Sequence, residues 1–469
     1  MYTFSSRLKT TAIALMIIGA LGIAYGFITA PKTIEDIKEM MLHAEDGHGE
    51  AVASHNAVEN SHDTDAGHAN EEHTKEALHT TSDSHDNEDA HGASEEEHLQ
   101  HSLDQAKNRP WAAIYIAMLF FLLLSVCAFV YYCIQRAATA GWSPVLFRVM
   151  EGVSAYIVPG SIIVLAFLIY SSVGHGNHMF AWMYTSIDPT AANYDYAMET
   201  KGWWLNIPFW LIRAVIYVLI WIGFRHFIIK NSRLQDEAND LKPYKRNFTL
   251  SVVFLVVFLV TELFMAFDWL MAIDHHWFSQ LYSFYVFASM FVSGITVITF
   301  VTIYLRAKGF LPNVNDYHIH DLGKYMFAFS IFWTYLFFAQ FMLQWYANIP
   351  EETAYFYPRL IGNYQPLFIG MIVMNFAFPI LVLMNSDYKK VPWFVVIAGL
   401  VILAGHYLDL FLLVSPGTVG LDWHFGLPEI GGVLFFAGLF IYVVFNALTK
   451  APLHPKGNPL IKESEIFHH

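Results

Sequence analysis

Charge is scarce in this sequence: 14% of its 469 residues are Asp, Glu, Lys or Arg, roughly half the share in a soluble protein of this size. Cysteine is scarcer still, with Cys127 and Cys133 alone, six residues apart. At about 100° per helical residue they point some 120° away from each other, so they neither pair nor form a cluster site. The absence of a C-x-x-C-H motif excludes a c-type haem, and two thiols are too few for an iron–sulfur cluster. Deeply placed histidines are also lacking. His406 alone lies well inside an apolar segment, His226 lies at an edge, and His175, His178, His275, His276 and His424 lie in or beside loops. Two-haem ligation as in cytochrome b is excluded by count, and a single haem b is disfavoured. No redox cofactor and no metal ligand set is expected in this chain.

What is abundant is apolar surface. Hydrophobic residues make up 55% of the chain and arrive in blocks of roughly twenty, the length that crosses a hydrocarbon core of about 30 Å. Ten such blocks are read at about 10–30, 110–134, 153–173, 203–229, 248–272, 280–305, 322–346, 364–384, 392–414 and 430–448. One buried core helix can mimic one block, but not ten in series. The fold class expected is all-α integral membrane, its partner the lipid bilayer and not nucleic acid. With the N-terminus inside, the inner segments hold 18 of the 26 basic residues, the outer segments seven, and Arg213 lies within a span, as the positive-inside rule requires. Trp111, Trp142, Trp203, Trp204, Trp277, Trp345 and Trp393 stand at span ends, where amphipathic rings prefer the headgroup layer. The first block follows Arg7 and Lys9, as a signal peptide does, but its apolar run is longer than a signal core and Pro31 after Ala30 makes a poor cleavage site. It is expected to remain as a membrane anchor over 1–30.

Residues 31–109 differ from everything else. They hold 20 of the 40 acids, 5 of the 26 bases and 11 of the 23 histidines, so the net charge of −14 is a property of this tract. Low apolar content and high charge predict a solvated outer linker, largely disordered, with short helices at its ends around 34–42 and 95–106. The histidines mostly recur every five to seven residues, without the i, i+4 pairs that put two imidazoles on one helix face. Loose chelation by a flexible tract stays open beside the plain linker reading.

Ionisable side chains inside a membrane are costly and usually face the bundle interior, which makes each a functional candidate. The fifth span carries Glu262 and Asp268, with Asp274 just past its end. The ninth carries His406 and Asp409, which at i, i+3 share a face. Arg213 lies in the fourth, Asn375 in the eighth, Gln340 and Gln344 in the seventh, and Glu151 at the inner start of the third. Glu262 and His406 each lie fourteen residues from the inner start of their spans, about 21 Å deep. A single polar layer in the outer half of the membrane follows from these depths. It reads either as an ion-pair network that only pins helices together, or as a proton path or an edge of a quinone pocket.

Three stretches carry a resemblance: FDWLMAIDHHWFSQLYSFYVFASMFVSG (Phe267–Gly294), FWTYLFFAQFMLQWYANIPEET (Phe332–Thr353) and GHYLDLFLLVSPG (Gly405–Gly417). They resemble a membrane subunit of alternative complex III, a bacterial quinol:cytochrome c or terminal oxidase oxidoreductase. The likeness is to the second of its two integral subunits of the polysulfide-reductase membrane-anchor (NrfD-like) family, and it covers roughly 110–450. The resemblance implies ten helices, with spans two to five (110–272) and six to nine (273–414) as two parallel four-helix bundles, spans one and ten peripheral, and 415–469 the last span and inner tail. It implies as partners a related NrfD-like membrane subunit, an iron–sulfur subunit, multihaem and monohaem cytochrome c subunits, and a terminal oxidase. Haem c and iron–sulfur clusters would sit in those partners, and menaquinol or ubiquinol would be the substrate of the complex. In the family the quinol site is assigned to the first membrane subunit, and the second supports the assembly and carries a proton pathway.

Three functions remain. In the first, the chain is a subunit of a respiratory oxidoreductase in which Glu262, Asp268, His406, Asp409 and Arg213 relay protons, with Glu151 as entry. In the second, it binds and oxidises quinol itself, His406 and Asp409 hydrogen-bonding the quinol hydroxyls and taking their protons. In the third, the same acids couple ions in a secondary transporter.

Overall fold

The computed structural model of the chain describes residues 2–38 and 87–468 apart from 175, 192, 361, 421, 422 and 424, with side chains from 99 onward in the second stretch. The bulk of the expected acidic tract, residues 39–86, lies outside the described residues, as does the end of its first short helix.

The chain is an all-α integral membrane protein. Among the described residues, ten helices are long and apolar enough to cross a bilayer: α1 (Ser6–Thr29), α2 (Leu99–Ala137), α3 (Pro144–Val173), α4 (Ile207–Glu237), α5 (Lys242–Trp269), α6 (Tyr282–Ala307), α7 (Asp316–Ala347), α8 (Gln365–Leu383), α9 (Pro392–Thr418) and α10 (Leu427–Leu448). In a bilayer every backbone polar group must be satisfied within the segment, which is why long apolar runs become helices and not strands. Among the described residues the only extended pairing is one isolated bridge between Ser186 and Tyr194.

Local chemistry sets the helix ends. Asn206 caps α4 by accepting from the Phe209 N–H at 3.1 Å, and Asn315 caps α7 by accepting from Tyr317 and His318. Proline stands in the first turn of α4, α5, α8, α9 and α10, where its missing N–H leaves no helical bond unmade. Two starts differ most from expectation. The helix containing α2 starts at Asn87 and runs without a break through Pro110, so the second short helix of the tract is the same helix as the span. The third span starts at Pro144, nine residues early, because a 3₁₀ turn, Pro144–Leu146, and the helical turns Phe147–Val153 extend it inward, joined to the rest by a second 3₁₀ turn, Ser154–Tyr156. α8 contains a π-helical turn, Val373–Ala377.

Two compact units are present, residues 29–107 and the remainder. In the first, Ile37, Leu99 and Leu103 pack with Ile34 and Ala106. In the second, α6 and α2 are the central helices, buried over 83% and 89% of their apolar windows, against 28% for α7. They touch backbone to backbone at Gly294, where a Cβ would fall 2.8 Å from the Leu124 carbonyl oxygen. α6 packs on α5, α7 and α9, and α8 closes the ring between α7 and α9. On the other side α3, α4 and α5 pack in sequence, and the Tyr115 hydroxyl on α2 bonds the Trp269 carbonyl at the end of α5. α1 lies against α10 at a similarly close approach, a Cβ on Gly19 falling 2.3 Å from the Phe435 nitrogen.

Candidate functional site

The ionisable span residues singled out in the sequence, Glu151, Arg213, Glu262, Asp268, His406 and Asp409, separate into four clusters. The first joins α4 and α5. Arg213 Nε and Nη2 each lie 2.7 Å from one oxygen of Asp268. Tyr217, one turn further along α4, donates to Oδ2 at 2.8 Å, and the Trp204 indole donates to Oδ1 at 2.9 Å. The guanidinium lies over the rings of Trp204 and Phe209 at 4.0 and 4.3 Å. Four donors on two oxygens, with a planar cation in bidentate contact, make a saturated ion pair. The second cluster gathers around Glu151. Its Oε2 accepts from Arg148 at 2.6 Å and its Oε1 from Tyr132 at 3.0 Å and from Ser232. Arg136 braces the same Tyr132 and Ser232 hydroxyls, and Arg148 also pairs with Asp236. Glu151 is saturated as well.

The other two are not. Glu262 on α5 accepts one hydrogen bond, from Ser283 of α6 at 2.7 Å, and its Oε1 has no partner among the described residues although the side chain is buried. It borders a small apolar cavity lined by Cys127, Trp221, Phe258 and Met290. Asp409 on α9 accepts from Tyr285 and Ser289 of α6 and from the Trp333 indole of α7. The Ser289 hydroxyl is 2.7 Å from Asp409 Oδ2 and 2.9 Å from His406 Nδ1. With its one proton given to Asp409, the hydroxyl accepts from Nδ1–H, which leaves Nε2 of a neutral ring bare. That Nε2 has no partner among the described residues, and neither has the amide of Asn375. Asn375 is the middle residue of the π-turn, and its Oδ1 occupies the space a Cβ on Gly405 would need. π-turns of this kind are frequent at functional sites.

Tyr285 also lines a cavity with Phe337, Gln340, Tyr355, Arg359 and Phe368. The Gln340 Oε1 and the Tyr355 hydroxyl in its wall have no partner among the described residues. Phe356 is shared with an open recess of about 380 Å³ walled by Phe341, Trp345 and Tyr357. Polar atoms thus run from an aromatic cavity through Tyr285, Asp409 and Ser289 to His406, and the Asn375 turn packs against its neighbour Gly405.

Arg213 and Asp268 are brought together, as are His406 and Asp409, while Glu151 and Glu262 stand apart. Similar depth does not bring Glu262 into contact with His406 or Asp409. Ser283 on α6 holds Glu262, whereas Tyr285 and Ser289 hold Asp409, and on a helix these lie roughly 200° and 240° around the axis from Ser283. α6 therefore stands between the two acids. The sequence reading did not single out Ser283, Tyr285, Ser289 or Trp333, which are ordinary residues in a membrane span. Their only signal is the i, i+4 spacing of Tyr285 and Ser289 within one of the three quoted stretches.

Outside the spans, Asp195 Oδ2 lies 2.6 Å from His275 Nε2 and 3.3 Å from His276 Nε2. Burial works to raise the Asp195 carboxyl, but hydrogen bonds from His275 and the Ala197 N–H hold it below the usual carboxylate range. Burial lowers His275, against the pull of Asp195. Neither protein-family models nor curated proteins give a match to this chain.

Proposed function

We propose that the chain is a proton-handling membrane subunit of a quinol-oxidising respiratory complex, carrying no redox centre itself, in the inner membrane of a bacterium with both termini cytoplasmic. One observation supports this above the others: the three stretches that carry the resemblance, far apart in sequence, supply the parts of one buried site. Tyr285 and Ser289 come from Phe267–Gly294, Trp333 and Gln340 from Phe332–Thr353, and Gly405, His406 and Asp409 from Gly405–Gly417. A proton taken at His406 Nε2 can release the Nδ1 proton to Ser289, whose own proton passes to Asp409, so that one proton moves between ring and carboxyl without either group shifting. Asp268 and Glu151, saturated by arginine and hydroxyl donors, hold helices together in this reading.

The open recess of about 380 Å³ that shares Phe356 with the cavity beside Tyr285 favours a second reading, in which quinol is oxidised here. Its aromatic walls, Phe341, Trp345 and Tyr357, suit a flat apolar ring, and the adjoining cavity, at about 20 Å³ too small for the ring itself, carries the Gln340 and Tyr355 polar atoms on the way to Asp409. Oxidation would release two protons toward Asp409 and two electrons to an iron–sulfur or haem centre of a partner.

The test is purification of the chain through a C-terminal tag in mild detergent, with visible spectra and mass identification of what accompanies it. Co-purifying multihaem cytochrome c and an iron–sulfur protein is the expected result. A colourless, solitary protein that survives several detergents would overturn it in favour of an ion-coupled transporter.

A further inference from the structure

We infer that Asp195, His275 and His276 form a binding site for a zinc-class divalent transition metal ion, tying the loop before α4 to the loop before α6. The three donor atoms lie within 4.8 Å of one another, although 80 residues separate Asp195 from His275. This set was invisible to a reading by sequence spacing.

The carboxylate is built to face the two rings. The backbone of Asp195 is fixed by its N–H bonding the Ser186 carbonyl at 3.0 Å, beside the Ser186–Tyr194 bridge. As the cap of the short helix Tyr196–Lys201, it spends Oδ1 on the Ala197 N–H at 2.9 Å. Oδ2 is thereby left to point at both Nε2 atoms. The two rings lie against each other, centroids 4.2 Å apart. The Lys201 ammonium is held by the His275 carbonyl oxygen.

Two imidazoles and a carboxylate are the donor set of three-ligand zinc sites, which keep a fourth position for water. Bond lengths of about 2.0–2.2 Å place tetrahedral ligands about 3.3 Å apart. His276 already has that spacing from Asp195, at 3.3 Å. His275, at 2.6 Å, needs to back away by about 0.7 Å. The His276 side chain is 70% exposed, so its face of the cluster opens to solvent. A hydrogen bond between Asp195 and His275 alone would already join the loops, but it gives His276 no part. His276 is therefore where the two readings divide.

The experiment compares the full chain, in the assembly in which it purifies, with His276→Ala and Asp195→Asn. Each is stripped with chelator, dialysed against Zn²⁺ alone, and assayed for metal per chain. The histidines of residues 31–109 contribute equally to all three, so the difference is the readout. Wild type should retain one zinc more per chain than either variant, or bind it at least about tenfold more tightly, and Co²⁺ in its place should give the visible absorption of a tetrahedral site. Equal zinc in wild type and His276→Ala overturns the proposal, and so does a loss in His276→Ala that Asp195→Asn does not share. The substituted His276 is exposed, so misfolding does not confound the comparison, and the result is independent of which respiratory partners the chain has.

Discussion

His406 and Asp409 are neighbours on one face of α9 but do not touch: Nδ1 and Oδ2 are 3.7 Å apart, and the Ser289 hydroxyl of α6 bonds to both. Both side chains are fully buried, and no Arg or Lys side chain bonds to Asp409 among the described residues. Asp268 shows the opposite arrangement, with Arg213 in bidentate contact. The two aspartates lie toward the same end of helices α5 and α9, and their surroundings suit them to different tasks.

For Asp409, the expected outcome of Asp409→Asn is intact assembly with turnover of the purified complex lowered on the order of tenfold or more, the scale of a lost acid–base group. The Asn side chain has the same shape and can keep one acceptor oxygen, toward Tyr285, but it loses the acceptor that Ser289 and Trp333 share and takes up no proton. Infrared difference spectra of wild type should show a carboxyl band that this variant lacks. Wild-type turnover in the variant would remove Asp409 from the proton path.

Glu262 has one hydrogen bond and a bare oxygen. Glu262→Gln should preserve assembly and the haem content of the partners while lowering turnover or proton release. If turnover and proton stoichiometry both stay at wild-type values, Glu262 is a packing residue of α5.

Arg213 should behave differently. Arg213→Met leaves Asp268 buried among Tyr217, Trp204 and Trp210 without its cation, which costs roughly 3–5 kcal/mol. The detergent-solubilised protein should unfold at clearly lower temperature, and the double variant Arg213→Met/Asp268→Leu should recover much of the loss. A single variant as stable as wild type would show that the pair does not hold α4 to α5.

Gly405 is where α9 admits the Asn375 side chain. In Gly405→Ala the new methyl would fall 2.1 Å from Asn375 Oδ1, so the amide has to leave its place at an overpacking cost of about 1–3 kcal/mol. Adding Asn375→Ala should relieve most of it, as thermal unfolding of the single and double variants would measure. Additive effects of the two substitutions would rule out the contact.

Much of this molecule is legible along the chain. Apolar run length alone points to ten helices, since a run of about twenty apolar residues in a bilayer satisfies its own backbone polar groups only as a helix, a spanning strand being about half as long. The caps Asn206 and Asn315, which run length does not reveal, put the starts of α4 and α7 at Ile207 and Asp316 instead of about 203 and 322. The same reading identifies Glu262, Asp268, His406 and Asp409, because an ionisable group in an apolar run stands out by composition. It could not say which of them are saturated. The donors to Asp409 come from residues 76 to 124 positions away on α6 and α7, and nothing in the pattern of α9 points to them. Depth along a helix is additive and can be counted, but the direction a side chain faces depends on which helices pack where. Only the packing decided that α6 separates Glu262 from Asp409, that Arg213 closes over Asp268, and that Asp195 meets two histidines from another loop.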